Sequence, residues 1–131
     1  MKCIRVNEPE KFDSLIAESL SQSDSVFVLF FGREVPSTGN SWCPDCVIAD
    51  PKVRKAIGSV ENSILLEVPV DRKTDTASKT NIFRERKDIK LGRIPTLLRW
   101  TSAGPAATRL VEDECNEADI SKYVELTKNR V

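Results

Sequence analysis

Two cysteines separated by two residues are the part of this sequence best suited to chemistry. They lie in Trp42-Cys43-Pro44-Asp45-Cys46, after a predicted strand and loop and at the start of a predicted helix. The N-terminus of a helix presents unpaired amides and a partial positive charge, which stabilise a thiolate on the first cysteine. We therefore expect Cys43 to attack a disulfide, and the more buried Cys46 to resolve the mixed disulfide by closing a Cys43–Cys46 bond.

The other residues of this motif adjust the chemistry of the dithiol. Asp45 disfavours a second negative charge nearby, and Pro44 stiffens the turn without supplying an amide. We expect an activated thiolate, and a reduction potential nearer to those of reductants than to those of strong oxidants. Trp42 is interpreted as an apolar platform for substrates beside Cys43, with a purely structural tryptophan as the alternative.

A zinc site is the main alternative for the cysteine pair. A structural zinc ion takes four protein ligands, but the chain has no histidine, and Cys3 and Cys115 are distant from the pair in sequence. The redox interpretation is therefore favoured, and it requires no bound cofactor and no metal. Cys3 and Cys115 are interpreted as buried or incidental thiols, and a regulatory disulfide between them stays open.

The dipeptide Ile94-Pro95, just before a predicted strand, is the second candidate for a functional role. A cis bond at Pro95 facing the dithiol would leave the backbone of Ile94 available to pair with an extended substrate. The alternative is a trans proline that begins an edge strand. In combination with the dithiol, the cis arrangement is favoured, and Ile94 and Pro95 become candidate substrate-binding residues.

Composition limits the class of protein. The chain has 131 residues, so one domain over residues 1–131 is expected. Twenty basic and twenty acidic residues cancel, which leaves no charge pattern for nucleic acid or an anionic membrane. The longest apolar run, Val26–Phe31, is far shorter than the ~20 residues of a membrane-spanning helix. The first residues lack the apolar segment of a secretory signal, so a cytoplasmic location is expected.

The predicted secondary structure alternates between helices and strands. In order, it comprises a helix capped by Asn7, a strand at Val26–Phe31, a helix from Trp42 to about Ser59, a strand at Ile64–Val70, a weak helix at Thr80–Lys87, strands at Thr96–Trp100 and Thr108–Val111, and a helix at about Glu117–Asn129. Pro51 lies inside the second helix and is expected to kink it. The order predicts an α/β fold, with a central mixed sheet flanked by helices on both faces.

Two further segments border the expected site. The loop Arg33–Asn40 could restrict bulky substrates, or it could be a tolerated surface insertion. The segment Arg84–Arg93 is rich in basic residues and ends next to Pro95. It could favour anionic substrates, although a solvated charged face is the more economical interpretation.

These features occur in an order that resembles the thioredoxin superfamily along nearly the whole chain. The Trp-Cys-Pro-Asp-Cys motif with its long preceding loop, Pro95-Thr96-Leu97-Leu98, and the segment 110–115 are similar to the 14-kDa thioredoxin-related (thioredoxin domain-containing protein 17) subfamily. This resemblance implies a thioredoxin fold and a cytosolic disulfide reductase that receives electrons from NADPH through thioredoxin reductase. It also implies small disulfides such as cystine, and selected oxidised protein cysteines, as substrates of a monomeric protein.

One position departs from the pattern of the superfamily. Thioredoxins carry a buried aspartate that accepts the proton of the second cysteine, and the matching residue here is Leu29. Asp45 is the nearest carboxylate in sequence and is the hypothetical replacement. The alternative to an enzyme is a binding module of the same fold, whose dithiol acts as a redox-sensitive docking switch. A disulfide isomerase or oxidase would require an oxidising compartment.

Overall fold

The computed structural model describes residues 1–128 as a mixed sheet with helices on both faces. The strands are β1 (Lys2–Arg5), β2 (Val26–Gly32), β3 (Ile64–Val70), β4 (Thr96–Thr101), β5 (Gly104–Pro105) and β6 (Leu110–Val111), and the helices are α1 (Phe12–Gln22), α2 (Pro44–Gly58), α3 (Ile82–Glu85) and α4 (Glu117–Thr127). Short 3-10 turns at Pro9–Lys11, Lys79–Asn81 and Glu112–Glu114 precede α1, α3 and α4.

The strands run in the order β1-β3-β2-β4, and both β5 and β6 pair with the outer edge of β4. Strands β1, β2 and β3 are parallel, whereas β4 runs antiparallel to β2 and to its two short partners. The predicted α/β architecture with a mixed sheet is therefore confirmed.

Strand β2 is buried along its whole length, as its uninterrupted apolar run predicts for a strand covered on both faces. Its side chains alternate between two hydrophobic clusters. Val28 and Phe30 face a cluster with Phe12 of α1, whereas Leu29 faces a cluster with Val53 of α2 and further residues of α4. Both cysteines of the motif belong to this second cluster, so the dithiol packs against this face of the sheet.

Several boundaries differ from the prediction. Strand β1 was not predicted, because four residues at a sheet edge, with a charged residue at each end, give little signal. Asn7 does not cap a helix: its side chain accepts a hydrogen bond from Arg5 Nε at 3.3 Å, and α1 begins only at Phe12. The helix predicted at Thr80–Lys87 is a 3-10 turn followed by α3, in which Phe83 is buried and Ile82 is exposed.

The end of the chain follows the prediction with shorter elements. The segment after β4 contains the two-residue strand β5, and the predicted strand at Thr108–Val111 is shortened to β6. Helix α4 ends at Thr127, and Asn129, where we predicted its end, lies outside the described residues. Pro51 lies inside α2, and the kink expected there stays a prediction.

Candidate active site

The loop between β2 and α2 brings the motif over the end of the sheet. The backbone N–H of Trp42 donates to Arg33 O at 3.1 Å, which closes the loop onto itself. At the end of β2, a Cβ added to Gly32 would lie 2.8 Å from both Ser41 Oγ and the indole of Trp42. Only glycine permits this close approach. Gly32 is thus a residue of the site that the sequence analysis missed.

Cys43 occupies the N-cap position of α2. Its backbone is extended, and its carbonyl accepts hydrogen bonds from the N–H groups of Cys46 and Val47. The Ile94–Pro95 peptide bond is cis, and the Cys43 thiol lies against this segment, 3.8 Å from Ile94 O. The cis bond and its placement beside the dithiol are as predicted.

Cys46 lies one turn into α2 and is more buried than Cys43, with 3% against 7% of its surface exposed. Burial, and after it the hydrogen bond with the Cys43 thiol, raises the pKa of Cys46 to about 12. The N–H of Gly32, 3.4 Å from Cys46 Sγ, and the hydroxyl of Ser41 act in the opposite direction. At neutral pH Cys46 is therefore a thiol that must lose its proton before it can attack.

The remaining residues of the motif surround Cys43. Trp42 is half-buried: its Nε1 donates to Val70 O at 3.1 Å, and the guanidinium of Arg72 lies 4.7 Å from the centre of its ring. Pro44 is exposed at the first position of the helix, where a missing N–H has no cost. Trp42 is thus anchored to β3 as a structural residue would be, while it still borders the dithiol.

Two cavities flank the start of α2. The larger, of about 480 Å³, is lined by Asp45, Arg93 and Cys115 among others. The smaller, of about 200 Å³, is lined by Ser41 and Cys46 on the opposite side. Asp45 and Cys46 therefore line different cavities, and the role of Asp45 as acceptor of the Cys46 proton stays a hypothesis.

The loop before the motif is fastened to the rest of the protein by ion pairs. Arg5 of β1 donates two hydrogen bonds of 2.7 Å to the carboxylate of Glu34, and this contact lowers the pKa of Glu34 to about 2. Arg33 pairs with Asp71 at 2.9 Å. The loop is therefore docked against the ends of β1 and β3.

Two arginines of the basic segment predicted at Arg84–Arg93 make structural contacts. Arg86 pairs with Asp13 and Asp88, and Arg84 donates to the carbonyl of Asp71. Arg93, by contrast, is exposed, lines the larger cavity and pairs with Glu112 at 2.9 Å. For this segment, a solvated charged face is a better interpretation than a preference for anionic substrates. Arg93 is the exception, because it lines the larger cavity.

The two remaining cysteines lie towards opposite edges of the sheet. Cys3 is exposed on β1, whereas Cys115 is buried directly after β6. Three strand spacings of roughly 4.8 Å separate β1 from β4, which exceeds the reach of a disulfide. A Cys3–Cys115 disulfide is therefore incompatible with this fold.

Metal binding and membrane insertion are two further possibilities for residues 1–128. Within this range, no group of three or more His, Cys, Asp or Glu side chains is arranged to hold a metal ion. Nor does any helix in the same range have the length and apolar character needed to cross a membrane.

The sequence has clear relatives. Residues 5–125 match the family model described as thioredoxin domain-containing protein 17-like, thioredoxin domain. The chain belongs to this family. Thioredoxin domain-containing protein 17 of Epinephelus coioides is 33% identical over 122 residues, which cover 92% of each chain.

Solved structures show the same fold at lower identity. A poplar thioredoxin h superposes with a TM-score of 0.66 and 17% identity over the full length of both chains. A chain from a complex of ferredoxin:thioredoxin reductase with thioredoxin f2 superposes with a TM-score of 0.66 and 12% identity, covering 98% of this chain and 96% of that one. The thioredoxin fold is thus established, and family membership supports thiol–disulfide redox chemistry in general.

Proposed function

We propose that this protein is a disulfide reductase in which Cys43 is the nucleophile and Cys46 the resolving thiol. The observation that carries this proposal is the position of the Cys43 thiol, at the N-cap of α2 and 3.8 Å from Ile94 O, next to the cis bond at Pro95. The thiol is thereby placed where an extended substrate can pair with the backbone of Ile94. The exposed side chains of Val47 and Ile48 on α2 offer apolar contacts to such a substrate.

The reaction proceeds in two exchanges that balance. The Cys43 thiolate attacks one sulfur of the substrate disulfide, forms a mixed disulfide and releases the other sulfur as a thiolate. Cys46 then loses its proton to solvent, and its thiolate attacks Cys43 Sγ. The Cys43–Cys46 disulfide forms while the bond from Cys43 to the substrate breaks, and the second substrate thiolate leaves. Two electrons have passed from the dithiol to the substrate.

The oxidised protein must then be reduced by an external donor. We infer that a thioredoxin reductase supplies the two electrons from NADPH. A reductase partner is known for one protein of this fold, thioredoxin f2, in its complex with ferredoxin:thioredoxin reductase. No cofactor bound to this chain is required. A reducing compartment such as the cytoplasm and a monomeric state agree with this cycle.

The docked loop supports a preference for small disulfides. Its ion pairs to β1 and β3 hold Glu34 and Arg33 in place, so a bulky substrate cannot displace the loop without breaking them. Cystine and selected exposed protein disulfides are therefore the proposed substrates.

The test is NADPH consumption by the purified protein with thioredoxin reductase, with cystine and insulin as substrates and Cys43→Ser as the control. We expect fast turnover on cystine, weak turnover on insulin and none in the variant. Equal turnover on both substrates would remove the selective role of the loop. No consumption with either substrate would contradict the proposal. It would favour a redox-sensitive docking switch, or an electron donor other than thioredoxin reductase.

A further inference from the structure

The proton of Cys46 has no obvious acceptor on the strand beneath it. Leu29 is 1% exposed and occupies the position where thioredoxins carry an aspartate. Its neighbour in the parallel register of β3 is Glu67, whose carboxylate is held by Arg54. The structure must therefore lower the cost of the Cys46 thiolate in another way.

We propose that the hydroxyl of Ser41, together with the N–H of Gly32, stabilises the thiolate of Cys46 during the resolving step. This inference rests on the proposed function, because it assigns a residue to the second exchange of that reaction. Ser41 acts as a hydrogen-bond donor to the reacting sulfur and not as a base.

The position of the Ser41 hydroxyl is fixed by its neighbours. Its Oγ accepts a hydrogen bond of 3.0 Å from the N–H of Cys43. A hydroxyl has one proton and two lone pairs, so this contact occupies a lone pair and leaves the O–H to donate elsewhere. The same oxygen packs so closely over Gly32 that a Cβ there would approach it to 2.8 Å.

The same contacts bring one donor onto the sulfur of Cys46 and place the Ser41 hydroxyl in the cavity beside it. The N–H of Gly32 is 3.4 Å from Cys46 Sγ, and Ser41 lines the 200 Å³ cavity together with Cys46. Hydrogen bonding from the Ser41 hydroxyl lowers the pKa of Cys46, against the effect of burial. The arrangement resembles an oxyanion hole in principle, since fixed donors face the atom on which negative charge develops.

The cavity provides the route by which the proton leaves. Besides Ser41 and Cys46 it is lined by Asp50 and Arg54, which are about a third or more exposed and pair with each other at 3.0 Å. Solvent that reaches Cys46 from this side takes up its proton. The Cys46 sulfur then attacks Cys43 Sγ, and the electron pair of the broken bond leaves with the substrate thiolate.

The test separates the two exchanges in a stopped-flow experiment. The reduced protein is mixed with one equivalent of dithiobis-nitrobenzoate, which releases one coloured thiolate when Cys43 attacks and a second when Cys46 resolves. The variant is Ser41→Ala. Ser41→Thr retains the hydroxyl, and Ser37→Ala makes the same chemical change on an exposed residue of the preceding loop.

We expect Ser41→Ala to slow the second release roughly tenfold to a hundredfold, because hydrogen bonds to charged groups are among the stronger ones. Its pH–rate profile should move to higher pH, and Ser41→Thr should restore both. Ser37→Ala should match the wild-type protein.

A second release in Ser41→Ala with wild-type rate and pH profile would overturn the inference. So would an equal slowing of both releases without a shift of the pH profile, since that is the signature of a structural role. If the wild-type protein itself releases no thiolate and consumes no NADPH, the proposed function fails instead, and the two failures are thus distinguishable.

Discussion

Cys46 and Cys115 are two buried thiols with different surroundings. Burial raises the pKa of each to about 12. Cys46 faces hydrogen-bond donors and the thiol of Cys43. The Cys115 thiol lies near two carbonyl oxygens, 3.7 Å from Leu110 O and 3.9 Å from Pro95 O, and its one donor is the backbone of Leu97, which acts against the effect of burial on its pKa.

The difference between them shows that burial alone does not give a thiol a redox role. Carbonyl oxygens accept a hydrogen bond from the neutral S–H and cannot stabilise a thiolate, whereas N–H and O–H groups can. The negatively charged residues Glu114 and Asp113 near Cys115 contribute to its raised pKa, after burial. We therefore expect Cys46 to take part in exchange and Cys115 to remain a packing residue.

The largest expected effect is on turnover, and it should distinguish Cys46 from Cys115. Cys46→Ser should reduce turnover on cystine roughly a hundredfold or more and should accumulate a mixed disulfide on Cys43, because the resolving sulfur is missing. Cys115→Ser should keep most of the activity. Steady-state NADPH consumption measures the rates, and intact-mass spectrometry detects the adduct. Comparable losses in both variants would contradict the comparison.

Labelling of the folded protein tests the raised pKa of Cys115. At pH 8, iodoacetamide should modify Cys115 roughly a thousandfold more slowly in the folded protein than in the protein unfolded in urea, because only the thiolate reacts. A raised thiol pKa also destabilises the folded state as pH rises from the ordinary value of 9 towards about 12. Mass spectrometry against time measures the rates, and fast labelling of Cys115 would show that it is accessible and ionised.

A methyl group added at Gly32 should disturb the packing around the dithiol. Gly32→Ala should lower the free energy of unfolding by about 1–3 kcal/mol, because the new methyl overlaps Ser41 Oγ and Trp42. The matched control is Gly58→Ala in α2, where an added Cβ meets nothing within 4 Å and helix propensity should add up to about 1 kcal/mol. Urea unfolding followed by tryptophan fluorescence gives both values, and equal stability of the two variants would argue against the tight contact.

The smallest expected effect is on stability, and it concerns the ion pair that holds the loop before the motif to β1. Arg5→Gln removes the ion pair with Glu34, and because both side chains are over a third exposed we expect a stability loss below about 1 kcal/mol. The pair stabilises the protein above the ordinary carboxyl pKa of 4.5, and its contribution is lost as pH falls towards 2. Thermal unfolding of both proteins at pH 7 and pH 3 should show the difference shrinking at the lower pH. An unchanged difference would mean that the carboxylate is not involved.

The central strands and the dithiol were predictable from local pattern. Strand β3 has the predicted bounds, and β2 extends the prediction by Gly32 alone, because continuous apolar runs admit few other structures. The Cys-x-x-Cys spacing at the start of α2 likewise depends only on neighbouring residues. By contrast, β1 depends on its pairing with β3, about sixty residues away in sequence, which local pattern does not reveal.

The surroundings of the thiols were not predictable for the same reason. Ser41 and Gly32 meet Cys46 through the fold of the loop, and nothing in their local sequence indicates a hydrogen bond to sulfur. Asp45 was favoured only by its proximity in sequence, whereas the helix turns it towards the other cavity. The signal available in the sequence for the surroundings of Cys46 was Ser41, a serine two residues before the helix N-cap at Cys43.

The most direct test of the central claim is a disulfide map after a single turnover. The reduced protein is given less than one equivalent of cystine, quenched in acid and digested, and its linked peptides are identified by mass spectrometry. We predict an intramolecular Cys43–Cys46 disulfide, with Cys3 and Cys115 still reduced. A disulfide or a cysteine adduct at Cys3 or Cys115, with Cys43 and Cys46 reduced, would contradict the account.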